Sequence, residues 1–268
     1  MDAKTFYDLQ PTSDPARWQL PVVPTLCTTG GFLFGGCGLG ACIAAMELVT
    51  DRPLVWATGQ FLSYANPPSM MDIDVTVAAD GRSITQARAV ARVGGREILT
   101  ANAALGARSF PYQGQWATMP DDVPGPADCA PRESPFPVEG TIMERLDQRL
   151  AIGRHFAEEP HGGNVDGRSA VWTRMPELLE MSAGSLAILG DYVPMGIWQA
   201  LGEPTMSNSL DNTLRVLQLV PTEWVLLEIE VDGVHSGFGH GKVHLWAEDG
   251  TLMATASQSS IVRHRPSM

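Results

Sequence analysis

The sequence passes twice through one order of elements, an apolar helix followed by four strands. In the first pass, the glycine-rich segment Phe34–Gly40 leads into a helix over Ala41–Val49, and strands follow near 54–65, 70–79, 84–93 and 97–105. In the second, a helix near 177–191 precedes strands near 207–219, 224–232, 238–247 and 251–263. The repeat lies in pattern and spacing, since the glycine-rich segment belongs to the first copy alone. It predicts an α+β fold in which an antiparallel sheet wraps one buried helix, built twice.

The strand predictions rest on alternation and on turn signals. Apolar and polar residues alternate along Asp72–Val77, and Val225–Val231 repeats the alternation. Tight-turn pairs separate consecutive strands at Asp80–Gly81, Gly94–Gly95 and Asp249–Gly250. Strands joined by such short turns are antiparallel neighbours, which argues against a doubly wound α/β fold.

A proline-rich segment divides the two copies. Seven prolines fall between Arg108 and Gly140, with little periodic hydrophobicity, and proline discourages regular structure because it lacks a backbone donor. We therefore expect an N-terminal unit over 1–107, a linker over 108–140 and a C-terminal unit over 141–268.

Charge and composition exclude several classes of protein. The chain carries 18 basic and 30 acidic side chains, a net charge of −12, with no long basic run, so a nucleic-acid surface is not expected. It has no apolar stretch long enough to cross a membrane and no apolar region typical of a signal peptide near its start. A cytoplasmic enzyme or binding protein is the resulting expectation.

Cysteine and histidine give no metal pattern. The cysteines lack CxxC spacing and are expected to be free thiols; they are Cys27, Cys37, Cys42 and Cys129. A histidine group at His235, His240 and His244 has no cysteine or patterned carboxylate to complete a ligand set, so ordinary strand histidines are favoured. We expect neither metal nor cofactor. Cys37 as a nucleophile is a weaker alternative to a buried thiol, and no GxSxG elbow supports a serine hydrolase.

The glycine-rich segment Phe34–Gly40 admits three interpretations. A dinucleotide fingerprint is disfavoured because antiparallel strands follow it instead of a βαβ unit. Glycine also lets a buried helix pack closely against its neighbours, and bare amides at a helix start can bind an oxygen that becomes negative. The sequence leaves the last two open, and they are compatible.

Three polar residues of the second copy stand out. Pro176 suits the first turn of the second helix and Pro194 limits its length, so Asp191 falls at or just beyond the last turn, where the helix dipole opposes a carboxylate. Ser209 opens the next strand. Gln258 shares the small-residue face of the last strand, where a buried amide requires hydrogen bonds. Each also has a purely structural explanation.

These residues lie in motifs that resemble a known family. Phe34–Gly40 at the first helix, Ser209–Thr213 after the second and Asp249–Gln258 at the end together resemble the acyl-CoA thioesterase II type, and the likeness runs from about Phe32 to Arg263. The resemblance implies a double hot-dog fold, an acyl-CoA substrate and a role in lipid metabolism. It leaves the oligomeric state open, and a homo-oligomer is compatible with it because hot-dog sheets often pair edge to edge.

The resemblance also implies residue roles. In that family an Asp, a Thr or Ser and a Gln position and activate the attacking water, and those roles would fall on Asp191, Ser209 and Gln258. Asp211, two residues beyond Ser209, is kept as a second candidate acid.

The start of the first helix takes the remaining implied role, because amides near Gly36 and Cys37 would polarise the thioester carbonyl. The first copy carries Thr58 and Ala103 where the second has serine and glutamine, so one working site per chain is expected.

Two other functions remain open on the same fold. One is a non-catalytic module that binds acyl-CoA without turnover. The other is a hydratase or dehydratase, which ranks last because neither Phe32–Gly40 nor Arg174–Leu179 contains the Asp and His pair of such enzymes.

Overall fold

The helices and strands come from a computed structural model that describes residues 1–134, 136–155, 163–176, 180–203 and 205–264. Its helices are α1 Ala3–Tyr7, α2 Gly35–Thr50, α3 Ala183–Leu189 and α4 Val193–Leu201. Its strands in the first part of the chain are β1 Gln10–Pro11, β2 Arg17–Val22, β3 Leu54–Phe61, β4 Ser69–Asp80, β5 Ile84–Val93 and β6 Arg96–Gly106. The later strands are β7 Ala130–Pro131, β8 Asp147–Ile152, β9 Arg168–Arg174, β10 Thr205–Ser209, β11 Asp211–Val216, β12 Val225–His235, β13 Phe238–Ala247 and β14 Leu252–His264.

All the strands join one antiparallel sheet, as the turn signals predict. The strand order is β1-β2-β4-β5-β6-β3-β11-β14-β13-β12-β9-β8-β7, with β10 paired to β14. Pairing of β3 with β11 connects the two halves, and there the Thr58 and Thr213 hydroxyls lie 2.8 Å apart. The first half wraps α2 and the second covers α3 and α4. The predicted α+β double hot-dog is confirmed.

Helix α2 begins earlier than the sequence predicts. The expected start was Ala41, but the helix runs from Gly35, so the glycine-rich segment forms its first turns instead of a loop before it. Packing against α3 explains this result. A Cβ atom at Gly36 would lie 2.7 Å from the Ala187 carbonyl oxygen, and one at Gly40 would lie 2.8 Å from the Gly184 oxygen. The two helices are therefore antiparallel and in backbone contact, which only glycine permits at these positions.

The predicted helix near 177–191 is wrong in its extent. Helix α3 begins only at Ala183, because Ser182 and Ser185 form a capping box there, and Pro176 therefore lies outside it. Residues 177–179 lie outside the described part of the chain. After Leu189 the chain turns and starts α4, with Pro194 in its first turn, so this proline begins a new helix as well as limiting the previous one.

The predicted strand near 207–219 is divided in two. Ser209 pairs with Ser260 and Thr213 with Ser257. Between these two pairs, the chain that forms β10 and β11 has one residue more than β14. Such a bulge interrupts the alternation of faces. Ser209 is consequently the last residue of β10. The sequence-based prediction that it opens the next strand is wrong.

Candidate active site

Asp191 lies where α2, α3 and α4 meet. It comes two residues after the last residue of α3, beyond its end as predicted, and its side chain is buried. Because α2 and α3 are antiparallel, the end of α3 lies beside the start of α2. The dipole of α2 stabilises a carboxylate here and offsets the unfavourable end of α3.

Three donors converge on the Asp191 carboxylate. The Gly36 N–H donates to Oδ2 at 2.6 Å. The Ser209 hydroxyl donates to Oδ1 at 3.3 Å, and the Gln258 side-chain amide donates to the same oxygen. The structure thus brings together the three residues that the family resemblance had implied, and it adds a backbone amide from the other half of the molecule.

Gln258 is held in one orientation. Its Oε1 accepts the Val193 N–H at 3.0 Å, which directs Nε2 towards Asp191 and places it 3.0 Å from the Ser209 oxygen. The amide lies on the buried face of β14 with Ala254 and Ala256, as the alternation predicts. The predicted need for hydrogen bonds at this amide is met at both of its ends.

Burial sets the protonation of Asp191. Desolvation raises the pKa of this carboxyl to about 7, although the hydrogen bonds from Gln258, Gly36 and Ser209 each lower it. A carboxyl with a pKa near neutrality can accept a proton and release it again at physiological pH, which is the property required of a general base.

Gly36 and Cys37 lie at the start of α2. The Gly36 N–H is already bonded to Asp191. The Cys37 side chain is fully buried, and burial together with the nearby Asp191 raises the pKa of its thiol well above the ordinary value. A thiol that resists ionisation is a poor nucleophile, which favours the interpretation of Cys37 as a buried core thiol.

Asp211 has a different partner. Its Oδ1 accepts the Ser259 N–H at 2.8 Å, a backbone donor that the bulge between β10 and β11 leaves available. None of the hydrogen bonds described for it reaches Asp191, Ser209 or Gln258. Its role as a second acid stays a prediction.

A cavity of about 330 Å³ opens onto Asp191 and Ser209. We call it the site cavity. Its other walls are largely apolar and include Phe34, Gly35, Phe61, Leu62, Pro194 and Ile261, with Phe32, Tyr64 and Arg263 also in contact. A larger cavity of about 460 Å³ touches none of the three site residues but shares Thr28 with the first. Of these two cavities, the smaller one is therefore the candidate active-site cavity.

Two contributors to the site were missed from the sequence. Gly35 leaves room for the carboxylate, because a Cβ atom there would lie 2.7 Å from Asp191 Oδ2. It belongs to the glycine-rich segment but was not singled out. Val193 orients Gln258 through a backbone N–H, a group that every residue except proline carries, so no sequence signal marks it.

Histidine and cysteine form no metal site within the described ranges. His240 lies 3.2 Å from the Ser259 hydroxyl, and His244 lies 3.7 Å from Glu228. These contacts fit ordinary strand histidines. No helix in the same ranges is long and apolar enough to cross a membrane.

Family models match both halves of the chain. The acyl-CoA thioesterase N-terminal domain matches residues 23–106, and the acyl-CoA thioesterase C-terminal domain matches residues 121–262. The chain belongs to the acyl-CoA thioesterase family. No curated protein sequence shows significant similarity to it.

Solved structures of three similar proteins share the whole fold. A protein from Novosphingobium aromaticivorans, provisionally designated a thioesterase, is 30% identical, with 94% of this chain and 97% of that chain covered and a TM-score of 0.83. The acyl-CoA thioesterase II TesB2 from Mycobacterium marinum is 17% identical over 99% of each chain, with a TM-score of 0.73. A conserved hot-dog protein of unknown function from Alicyclobacillus acidocaldarius is 21% identical over 98% of each chain, with a TM-score of 0.82.

Proposed function

We propose that this thioesterase-family protein hydrolyses an acyl-CoA thioester to a free acid and CoA by direct attack of water. The observation that carries the proposal is the convergence of Ser209 and Gln258 on Asp191, whose pKa is about 7, at the wall of a cavity. A hydroxyl, an amide and a carboxylate within hydrogen-bond reach of one another can fix a water molecule in angle and protonation.

Asp191 acts as the general base in this proposal. As the water oxygen bonds to the thioester carbonyl carbon, the carboxylate takes one of its protons and the carbonyl oxygen becomes negative. When the tetrahedral intermediate collapses, the carbon–sulfur bond breaks and CoA leaves as a thiolate, which takes up the proton held by Asp191. Ser209 and Gln258 position the water and are not consumed.

The start of α2 stabilises the oxyanion. Its amides near Gly36 and Cys37 lie at the positive end of a sixteen-residue helix. The Gly36 N–H is bonded to Asp191 before reaction. A protonated carboxyl is a weaker acceptor than a carboxylate, so proton transfer to Asp191 frees this donor as the oxyanion develops.

The test is thiol release from acetyl- to palmitoyl-CoA and one aromatic acyl-CoA, comparing the wild type with Asp191→Asn. We expect turnover by the wild type and a loss of about 100-fold or more in the variant. Asp232→Asn, a change at an exposed strand carboxylate, is the matched control and should retain activity. A folded wild type that binds acyl-CoA and releases no thiol from any substrate would instead support a binding module.

A further inference from the structure

The larger cavity lies next to the candidate active site. We call it the adjoining cavity. The first turn of α4 separates it from the site cavity, because Pro194 lines one and Met195 lines the other, while Thr28 lines both. Apolar side chains form much of its wall, among them Phe136, Val138, Met143, Leu146, Met195 and Trp198. A chain of methylene groups fits this lining.

Tyr192 lies between the site cavity and the adjoining cavity. It directly follows Asp191 in the chain, and it is buried. Its ring packs edge-on against Phe34 of the site cavity with centroids 6.5 Å apart, and its hydroxyl lies 3.8 Å from the sulfur of Met143 in the adjoining cavity. One side-chain layer therefore separates the adjoining cavity from the proposed general base.

Arg132 contributes a positive charge to the wall of this cavity. Its backbone N–H donates to the Gln148 oxygen at 2.8 Å and its Nη1 to Gln148 Oε1 at 2.9 Å, so the side chain is fixed on the wall. Gln148 in turn donates to Thr173 at 3.2 Å. Within the described ranges, no carboxylate forms an ion pair with this guanidinium. Burial lowers the pKa of Arg132, with the nearby Tyr192 opposing the shift, yet arginine stays charged in proteins.

The Arg132 guanidinium is half-buried, and a ligand carboxylate could pair with it through two parallel hydrogen bonds. Two acids also line the cavity. The carboxylate of Glu144 accepts the Gly140 N–H at 2.7 Å, and Glu133 is exposed. Arg154 and His155 also line this cavity. An anion can therefore bind at the guanidinium without displacing an ion pair.

We infer that the adjoining cavity takes the acyl chain, which enters where Thr28 lines both cavities, and that Arg132 binds a carboxylate on its wall, so the substrate is the CoA thioester of a dicarboxylic acid. The inference rests on the proposed thioester hydrolysis. The phosphates of CoA are the other source of anionic oxygen. They are separated from the thioester by the whole pantetheine arm, whereas this cavity begins one side-chain layer from Asp191.

The test compares acyl groups matched in length. The values of kcat/KM are measured for adipyl-CoA against hexanoyl-CoA and for suberyl-CoA against octanoyl-CoA, with wild type, Arg132→Gln, Arg132→Lys and, as control, Arg88→Gln on the exposed face of β5. We expect the wild type to prefer the carboxylated member of a pair. Arg132→Gln should reduce that preference by about tenfold or more, and Arg132→Lys should retain part of it. Arg88→Gln should leave it unchanged.

The possible results separate the two proposals. The inference about Arg132 would be overturned, and hydrolysis would stand, if the wild type turned over both members of each pair equally. An equal loss on all substrates in Arg132→Gln would also overturn it, and would indicate that Arg132 binds CoA phosphates or has a structural role. If no substrate is hydrolysed, the proposed function fails. Binding of free hexanoate against the uncharged hexan-1-ol then decides the Arg132 site: thermal stabilisation by hexanoate alone, lost in Arg132→Gln, supports it, and its absence refutes it.

Discussion

The Gly36 N–H lies 2.6 Å from Oδ2 of Asp191, although 155 residues separate the two in sequence. A backbone amide from one half of the molecule thus holds the acid that belongs to the other. The buried carboxylate gains a hydrogen bond and the positive end of α2 from a single contact. Substitutions around this contact separate the roles of the neighbouring residues.

Gly35→Ala should impair the site more than the fold. The new Cβ atom would lie 2.7 Å from Asp191 Oδ2 and 3.0 Å from Phe61 Cζ, both of them side-chain atoms that can move. Alanine also favours the helix by up to about 1 kcal/mol. We expect a loss of about tenfold in kcat/KM with little change in melting temperature.

Gly36→Ala is the contrasting variant. There the Cβ atom would meet the backbone of α3, 2.7 Å from the Ala187 oxygen, so the helices must separate. We expect a clear fall in melting temperature, by several degrees. If Gly35→Ala unfolded the protein as readily as Gly36→Ala, the proposed distinction would be wrong.

Ser209→Ala and Gln258→Ala should both slow hydrolysis. Gln258 contacts both other members of the group, so its truncation is expected to cost more, on the order of 100-fold against tenfold for Ser209. The matched control is Ser207→Ala on the same strand and cavity wall, since the Ser207 hydroxyl has no hydrogen-bond partner among the described residues. The activity of all three variants is measured by steady-state thiol release. A Ser207→Ala loss equal to that of Ser209→Ala would argue against a special role for Ser209.

Asp211→Asn tests the second candidate acid. Because the Asp211 carboxylate accepts the Ser259 N–H, an asparagine oxygen can replace it. We expect activity within about threefold of wild type and a stability loss of about 1 kcal/mol, from chemical unfolding. An activity loss as large as that of Asp191→Asn would make Asp211 part of the reaction.

The rate should follow ionisation of Asp191. Its pKa is about 7, and only the carboxylate form can accept a proton from water. The value of kcat/KM is therefore expected to rise about tenfold per pH unit below neutrality and to level off above it. A profile measured from pH 5 to 9 that stays flat through 7 would exclude Asp191 as the limiting base.

The free energy of unfolding should fall as pH rises, whereas kcat/KM should increase. The carboxyl has a pKa of about 7 when folded against an ordinary value of 3.8, so the native state holds this proton more tightly than the unfolded chain. The resulting stabilisation is complete below about pH 4 and is lost as pH rises through 7. Between pH 5 and 8 the wild type should lose up to about 3 kcal/mol relative to Asp191→Asn, measured by denaturant unfolding at both pH values. Parallel pH dependences of the two proteins would contradict the raised pKa.

Much of the sheet could be predicted from sequence because alternation and turn residues are local signals. The prediction for β5 over 84–93 and that for β13 over 238–247 match the observed bounds. The division of the second helix was missed, because the capping box at Ser182 and the new start at Val193 compete with a continuous apolar pattern. The bulge after Ser209 depends on pairing with β14, which a local pattern does not encode.

The site was predictable only in part, because it depends on contacts between segments that are distant in the sequence. The family resemblance supplied Asp191, Ser209 and Gln258, and their meeting point required the register between strands. That Arg132 lines a cavity beside them depends on how a proline-rich segment folds back against Gln148. No periodicity in the sequence indicates that contact. The division into units at 107 and 140 stays a prediction.

The pairing of β3 with β11 makes one continuous sheet from two similar halves, and the contact between Gly36 and Asp191 crosses between them. Neither half, folded alone, would contain a complete site. Two separately expressed fragments would regain activity only on docking, so turnover would report the fragment-association equilibrium directly. A protein with a site of this kind would lose activity when the halves part, even while each keeps its own secondary structure.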